Sequence, residues 1–296
     1  MTAERRRFEI AAMGRAARAA VAPGRRGSVL AVFRRAFYVE LDGGALACIG
    51  PAAMGGGPLN ALARLPDGLD WRAAGLVAGA PAHVGRGSLT IAGGFELALE
   101  PAVEWSPARP ADGWSRETLA AGLAALRGAA RGFDLADGLA RLVVSDAPGG
   151  DILIERGRAG AAALRNWIAG DCTTQLSTNI RDLIGLGPGL TPSGDDLMGG
   201  AMIALHMLGR ADDAAALARW ALPIARVGTG KISLALLSCA AEGEGAEALH
   251  RAIASSAAAD GDAIAAAIAA LDGIGHSSGW DALAGAVAAM SAISAR

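Results

Sequence analysis

The stretch Gly185-Leu-Gly-Pro-Gly-Leu-Thr-Pro-Ser-Gly-Asp-Asp196 is the most informative segment of this chain and precedes a helical run. Four glycines and two prolines fall within the ten residues before Asp195, and an apolar run follows. Glycine permits positive φ and exposes backbone N–H groups, and the N-terminus of a helix attracts anions. The pattern therefore predicts a rigid loop that leads into a helix over Asp195–Leu208.

Two interpretations of this loop stay open. In the first, Ser193 caps the helix and Asp196 is a weaker form of the capping-box acid. In the second, the loop holds a phosphate or carboxylate. Asp195 and Asp196 then bind Mg²⁺, which favours one or two carboxylates plus ligand oxygens, or one of them orients a cationic or amide ligand. The anion-binding residues of this second interpretation are Gly187, Gly189, Thr191, Ser193 and Gly194.

A second segment, Gly273-Ile-Gly-His-Ser-Ser-Gly-Trp-Asp281, echoes the first. The positions Ser193, Gly194, Asp196, Met198, Gly200 and Ala201 align with Ser278, Gly279, Asp281, Leu283, Gly285 and Ala286. Either a decayed repeat places two helix N-termini at one site, or the same capping pattern occurs twice. Ser277, Ser278, Gly279 and Asp281 join the candidate anion site. His276 is either a donor or proton shuttle at that site, or a structural loop residue.

A third segment, Gly228-Thr-Gly-Lys-Ile-Ser233, superficially resembles a phosphate-binding loop but departs from its pattern. Ala225 stands where the first glycine belongs, and Ile232 follows the lysine in place of Ser or Thr. Lys231 is the single lysine of the chain, and it is either a point-charge contact to phosphate or a solvated residue at a helix start. Thr229 and Ser233 flank this start and join the candidate site.

Composition limits the class of protein. Of 296 residues, 52% are hydrophobic, 4% are aromatic and 42 are glycine, which excludes a disordered chain, a coiled coil and a disulfide scaffold. The net charge of −2 offers no electrostatic support for a nucleic-acid partner. Small residues at this frequency favour helices whose backbones approach closely.

The cysteines and the N-terminus are typical of a cytoplasmic protein. Cys48, Cys172 and Cys239 share no CxxC spacing, which favours a reduced compartment. The apolar run of a secretory signal is missing, and an amphipathic helix is predicted near Phe8–Ala20. The uncharged stretch Ala282–Ala295 is shorter than the roughly 20 apolar residues that cross a bilayer, so no membrane segment is expected.

A change of periodicity along the chain predicts an α+β fold. Short apolar runs between glycine turns, from Ser28 to Trp105, predict a small antiparallel β barrel or sandwich. After Trp114 the period becomes helical, which predicts a larger α-helical domain. We therefore expect an N-terminal helical segment over residues 1–27, a β domain over 28–110 and an α-helical domain over 111–296 that carries the Gly-rich loop.

The individual elements follow from the same patterns. Strands are predicted over Val29–Phe33, Ala36–Leu41, Ala45–Ile49, Gly75–Ala78, Ser88–Ile91 and Phe95–Leu99. Helices are predicted over Ser115–Arg131, Asp134–Val144, Ala159–Ile168, Leu176–Leu183, Asp195–Leu208, Ala211–Ile224, Ile232–Glu242, Ala246–Ala258, Ala263–Leu271 and Trp280–Ile293.

The segment 185–196 resembles the signature of a bacterial protein family that is typified by the AllH-type subunit of oxamate carbamoyltransferase. The segments Ser277–Asp281 and Thr229–Ser233 are similar in position, and the order of a β region before an α region agrees. The resemblance therefore extends over most of the chain. It brings no assigned catalytic residues with it, so the expected catalytic roles of Asp195, Asp196, Lys231 and His276 rest on physical inference.

The resemblance implies carbamoyl transfer between oxalurate and phosphate, which yields oxamate and carbamoyl phosphate in allantoin degradation, a branch of purine catabolism. It implies a small anionic ligand of the phosphate, carbamoyl phosphate or oxamate type. It also implies a complex in which one partner is similar to the α subunit of succinyl-CoA ligase, and a homo-oligomer is compatible with it. Two other functions stay open: a non-catalytic assembly or regulatory subunit that senses a small anion, and a free-standing phosphotransferase, for which we find no nucleotide site.

Overall fold

The chain divides into two compact units, Met1–Pro107 and Ala108–Arg296. A computed structural model describes residues 6–109, 113–170 and 176–295. Each unit has a hydrophobic core of its own. Three sequence predictions fall outside the described residues, namely the first five positions of the N-terminal segment, the boundary between residues 110 and 111, and Cys172.

The first unit is a closed β barrel. Its strands are β1 (Arg6–Gly14), β2 (Arg26–Val32), β3 (Phe37–Leu41), β4 (Ala45–Pro51), β5 (Asn60–Arg64), β6 (Pro81–Val84), β7 (Ser88–Ile91), β8 (Phe95–Ala98) and β9 (Val103–Trp105). They pair in the order β5-β4-β3-β2-β6-β7-β8-β1, and the pairing of β1 with β5 closes the sheet. The strand β9 pairs with the end of β1 as an addition to the barrel.

The barrel interior is organised around a tryptophan. Alternate residues of β3 are buried, as a half-buried strand requires. Trp71 is fully buried and makes edge contacts with the rings of Phe8, Phe37 and Phe95. Four of the twelve aromatic residues of this chain thus pack together in the barrel.

The structure corrects several predictions for this unit. The sandwich alternative is wrong because the sheet closes, and the pairs β1–β8, β1–β9 and β4–β5 are parallel within a largely antiparallel barrel. The predicted strand over Gly75–Ala78 is a turn, since Gly75 has a φ of +91°. The predicted helix near Phe8–Ala20 is helical only in α1 (Arg15–Ala20), because Phe8–Gly14 pair with neighbouring strands in β1.

The second unit is helical. Its helices are α2 (Arg116–Ala130), α3 (Ile152–Ala169), α4 (Thr178–Arg181), α5 (Ser193–Met207), α6 (Ala211–Gly228), α7 (Lys231–Ala241), α8 (Glu247–Ala258), α9 (Gly261–Asp272) and α10 (Ser278–Ser294). No helix in the part of the chain that the structure describes combines the length and the apolarity needed to cross a membrane.

Two helix predictions fail in part, both in short segments beside the site. Within the predicted helix over Asp134–Val144, only Ala140–Val143 form a short 3-10 turn, because Gly138 has a φ of +57° and breaks the helical path. The predicted helix over Leu176–Leu183 is reduced to α4. The predicted helix over Ala159–Ile168 is part of α3, which begins seven residues earlier, and the other helix predictions are confirmed with shifts of up to four residues at their ends.

Helices α5 and α10 cross at the centre of the second unit with their backbones in contact. A Cβ atom on Gly200 would lie 1.8 Å from the carbonyl oxygen of Ala282, and one on Gly285 would lie 1.8 Å from that of Leu197. The two glycines are equivalent in the aligned segments, and so are Leu197 and Ala282. The crossing therefore has local two-fold symmetry, and it lies seven residues, or about 10 Å, beyond the first residue of each helix.

Candidate functional site

The loops before α5 and α10 share two backbone hydrogen bonds, although the equivalent glycines differ, with a φ of +74° at Gly185 and −80° at Gly273. Their sequences are Leu183-Ile-Gly-Leu-Gly187 and Leu271-Asp-Gly-Ile-Gly275. In the first loop, the N–H of Leu186 donates to Leu183 O at 3.0 Å, and the N–H of Gly194 donates to Leu186 O at 2.8 Å. In the second loop, the N–H of Ile274 donates to Leu271 O at 3.0 Å, and the N–H of Gly279 donates to Ile274 O at 3.2 Å. The repeat is thus longer than the alignment of the helix starts indicated, and it includes the loops.

Side chains at the two helix starts pair across the local two-fold axis. The Ser278 hydroxyl faces the Asp196 carboxyl, and the Ser193 hydroxyl faces the Asp281 carboxyl. Thr191 also faces Asp196, and its Oγ1 lies 2.9 Å from Ser278 Oγ. Neither helix start has a side-chain cap, so the capping interpretation is wrong. We call these residues, together with Ser277, the paired N-termini.

The Asp281 half of the paired N-termini is saturated with donors. Oδ1 of Asp281 accepts a hydrogen bond from the backbone N–H of Leu139 at 2.5 Å, and Oδ2 accepts one from Ser277 Oγ at 2.8 Å. Burial raises the pKa of Asp281, while these donors and Ser193 act against the rise. A Cβ atom on Gly138 would lie 2.4 Å from Asp281 Oδ1, which is why a glycine precedes the donating residue.

In the Asp196 half, one carboxylate oxygen lacks a donor from the described chain. Oδ2 of Asp196 is buried and has no hydrogen-bond partner among the described residues. Burial raises the pKa of Asp196 well above its usual range, and the neighbouring carboxylates of Asp281 and Asp195 raise it further. A buried polar atom without a partner costs about 1–3 kcal/mol. A ligand that donates a hydrogen bond to Asp196 Oδ2 would remove this cost.

Asp195 points elsewhere and is fully hydrogen-bonded. Its Oδ1 accepts from the Gly185 N–H at 2.8 Å, and its Oδ2 accepts from Ser233 Oγ at 2.6 Å and from Thr229 Oγ1. The side chain is buried. Asp195 therefore ties the Gly-rich loop to the start of α7, and its oxygens are already occupied by donors from the chain.

The third segment lies against the Gly-rich loop, as the sequence predicted for a shared site. A Cβ atom on Gly185 would lie 2.5 Å from Gly228 O, and one on Gly230 would lie 3.9 Å from Leu190 O. Lys231 is the first residue of α7 and is exposed. The structure thus places a cation at the rim of the loop, next to the residues that Asp195 binds.

His276 is exposed and forms an ion pair with Asp137, with 3.2 Å between Nε2 and Oδ2. It lies one residue before Ser277, on the outer side of the paired N-termini. Sequence analysis did not identify Gly138 and Leu139, which lie against Asp281 of the paired N-termini. Leu139 and Gly138 complete Asp281, and only tertiary contact connects them with it, because 142 residues separate Leu139 from Asp281.

The tip of the Gly-rich loop presents backbone donors to solvent. Pro188, Gly189 and Leu190 are exposed, and the N–H groups of Gly187, Gly189 and Leu190 donate to no described residue. Positive φ values of 110° at Gly187 and 96° at Gly189 set this conformation. Groups of exposed N–H donors at a helix start are suited to bind an anion.

The described residues contain no group of three or more His, Cys, Asp or Glu side chains that could hold a metal ion. Asp196 is the member of the predicted Mg²⁺ pair that retains an oxygen without a partner. Any ion at this position would therefore need most of its ligands from substrate and water, which is usual for Mg²⁺.

Comparison with known proteins places this site inside a family match. Residues 183–290 match the family model described as oxamate carbamoyltransferase subunit AllH, and these residues include every site residue predicted from the sequence. The match confirms the resemblance over these 108 of the 296 residues, and its wider extent stays a prediction. Neither the curated proteins nor the solved structures contain a significant match to the chain.

Proposed function

Since residues 183–290 match the oxamate carbamoyltransferase subunit AllH, we propose that this chain is a subunit of a carbamoyltransferase complex and binds its anionic substrate at the paired N-termini. The partner that we propose is the subunit similar to the α subunit of succinyl-CoA ligase. One observation carries the proposal: three segments far apart in sequence meet around the start of α5, and one of them leaves a buried carboxylate oxygen without a partner among the described residues.

The reaction we propose converts oxalurate and hydrogen phosphate into oxamate and carbamoyl phosphate. A phosphate oxygen forms a bond to the carbamoyl carbon, and the bond from that carbon to the oxamate nitrogen breaks. The attacking phosphate loses a proton, and the departing nitrogen gains one. The chain must therefore hold an anion and deliver a proton to nitrogen.

The residues divide these tasks according to their surroundings. The N–H groups at the loop tip bind the anion, and Lys231 stabilises charge on the transferring oxygens. Burial raises the pKa of Asp196, which suits a general acid that must hold its proton near neutral pH. Asp195 acts as a positioning residue, because its hydrogen bonds join the loop to α7.

His276 and Mg²⁺ complete the proposal. His276, on the outer side of the site, exchanges protons with solvent. In the alternative to its role as general acid, Asp196 would be ionised and would hold a Mg²⁺ ion, which would stabilise charge on ligand oxygens. Treatment of the complex with EDTA is expected to lower activity, and addition of Mg²⁺ to restore it. Full activity in EDTA would contradict the metal role and leave the anion site unaffected.

Reconstitution of the complex tests the function. The chain is mixed with the products of its neighbouring genes, and formation of carbamoyl phosphate from oxalurate and phosphate is measured with and without it. Omission should abolish activity, and Asp196→Asn should lower it about 100-fold or more, the usual contribution of a general acid. Asp212→Asn is the matched control, because Asp212 lies in the first turn of α6 and is exposed.

The result also separates the rival functions. Activity that persists without the chain would assign it an assembly or regulatory role. Activity of the isolated chain on a phosphorylated donor, without partners, would instead favour a free-standing phosphotransferase.

A further inference from the structure

The local two-fold axis relates Asp281, whose two carboxylate oxygens both accept hydrogen bonds, to Asp196, of which Oδ2 accepts none from the described residues. Comparison of the two indicates which kind of donor Asp196 lacks. Asp281 and Asp196 occupy equivalent positions of α10 and α5. Each faces a serine of the opposite helix. The two carboxylates differ in what lies on their remaining side.

Two further donors complete Asp281, and one of them has no counterpart at Asp196. The Ser277 hydroxyl is replaced by Pro192 at the equivalent position before α5, but the hydroxyl of the adjacent Thr191 faces Asp196. The other donor is the backbone N–H of Leu139. Within the described residues, no N–H group takes that place beside Asp196 Oδ2. The peptide N–H that completes the carboxylate in one half is therefore missing in the other, where the buried Oδ2 has no donor among the described residues.

We propose that Asp196 Oδ2 accepts a hydrogen bond from an amide N–H of the bound ligand and thereby selects ligands with nitrogen at that position. The inference rests on the proposed function, because it assumes that a ligand binds at the paired N-termini, and it adds the residue that reads the ligand's nitrogen. A carboxylate accepts hydrogen bonds and repels other anionic oxygens. The anionic end of the ligand therefore faces the loop tip, and its amide end faces Asp196.

Oxamate and pyruvate form a matched pair of probes. Both carry a carboxylate beside a carbonyl group, and they differ in an NH₂ group against a CH₃ group. We expect the reconstituted complex to bind oxamate about 10- to 100-fold more tightly than pyruvate, the range for a hydrogen bond to a charged acceptor. Isothermal titration calorimetry measures the affinity of the complex for each compound.

Two variants test the assignment to Asp196. Asp196→Ala should make the affinities for oxamate and pyruvate equal, whereas the control Asp212→Ala should change neither affinity. Pro192→Ser supplies the hydroxyl that Ser277 provides in the other half, so it should weaken oxamate binding and leave pyruvate binding unchanged. Circular dichroism of each variant confirms that its fold is retained.

The outcomes distinguish the inference from the proposed function. Equal binding of oxamate and pyruvate by the wild-type complex, or a preference for oxamate that survives in Asp196→Ala, overturns the role of Asp196 and leaves the anion site intact. Failure of the complex to bind either compound at concentrations on the order of 10 mM, beyond the weak end of specific binding, overturns both.

Discussion

Asp195 and Asp196 are adjacent in sequence and have opposite surroundings. Asp195 accepts hydrogen bonds from two hydroxyls and a backbone N–H, while Asp196 retains a buried oxygen without a partner among the described residues. One step along a helix turns a side chain by about 100°, so neighbours face different elements. Sequence analysis singled out both residues, but it could not divide their roles, because the donors come from residues 10 to 38 positions away.

The buried carboxyl of Asp196 predicts a stability change of known sign. Its pKa in the folded protein lies well above the ordinary value of 3.8, so the folded state binds the proton more tightly than the unfolded state. Stability is therefore lost as pH rises above about 4, through the folded-state pKa. Asp196→Asn removes this loss, and it should raise the free energy of unfolding at pH 7 by about 1–3 kcal/mol.

Urea denaturation at several pH values measures this effect. The gain of Asp196→Asn over the wild type should shrink as pH falls toward 4, where both states hold the proton. Asp212→Asn, at an exposed position, should show no such dependence. A variant that is less stable than the wild type at pH 7 would show that Asp196 is a structural residue with satisfied oxygens.

At the scale of elements, the crossing of α5 and α10 depends on two glycines. Gly200→Ala would place a Cβ atom 1.8 Å from a backbone oxygen, and a backbone cannot move aside as a side chain can. We expect a loss of about 3 kcal/mol or more in unfolding free energy, at the upper end for overpacking. Gly285→Ala should behave in the same way.

The neighbouring glycine provides the control. A Cβ atom on Gly199 would lie 3.5 Å from Ala240 Cβ, an ordinary contact. Because alanine is the better helix former by up to about 1 kcal/mol, Gly199→Ala should be neutral or stabilising. Thermal denaturation of the two single variants compares them directly, and an equal effect of both would contradict a backbone crossing at Gly200.

The elements that sequence analysis predicted well are the long periodic ones. Helices α5 to α10 agree closely with their predicted ranges, because their apolar faces and breakers are local features. The secondary-structure predictions fail where contacts with other segments of the chain determine the conformation. Phe8–Gly14 has no decisive period of its own and becomes a strand through pairing with β5 and β8. Residues near Gly138 form a turn because they complete Asp281.

At the scale of the whole molecule, the chain has two hydrophobic cores. A unit with its own core is expected to fold independently. Residues 108–296, expressed alone, should give a helical circular dichroism spectrum and a cooperative thermal transition, and residues 1–107 should give a β spectrum. A non-cooperative transition for residues 108–296 would show that the helical unit depends on the barrel.

The division also shows what sequence analysis could establish about function. The family match, 183–290, lies within the helical unit, and so do the three motifs identified from glycine and proline placement. Their meeting at one place was a hypothesis, since spacing alone does not bring residues 191 and 278 within hydrogen-bonding distance. Packing of α5 on α10 supplies that contact, and the paired glycines are its sequence signature.

The crossing of α5 and α10 has the geometry of a symmetric dimer interface contained in one chain. When two copies of a subunit meet across a two-fold axis, each presents the same surface to the other, and each would carry the same site. Fusion of such copies frees one site to change without loss of the other. In this chain a peptide N–H completes Asp281 in one half, whereas the equivalent Asp196 in the other half keeps an oxygen without a partner among the described residues. The helical unit thus has the architecture of a duplication whose two halves have diverged at their equivalent carboxylates.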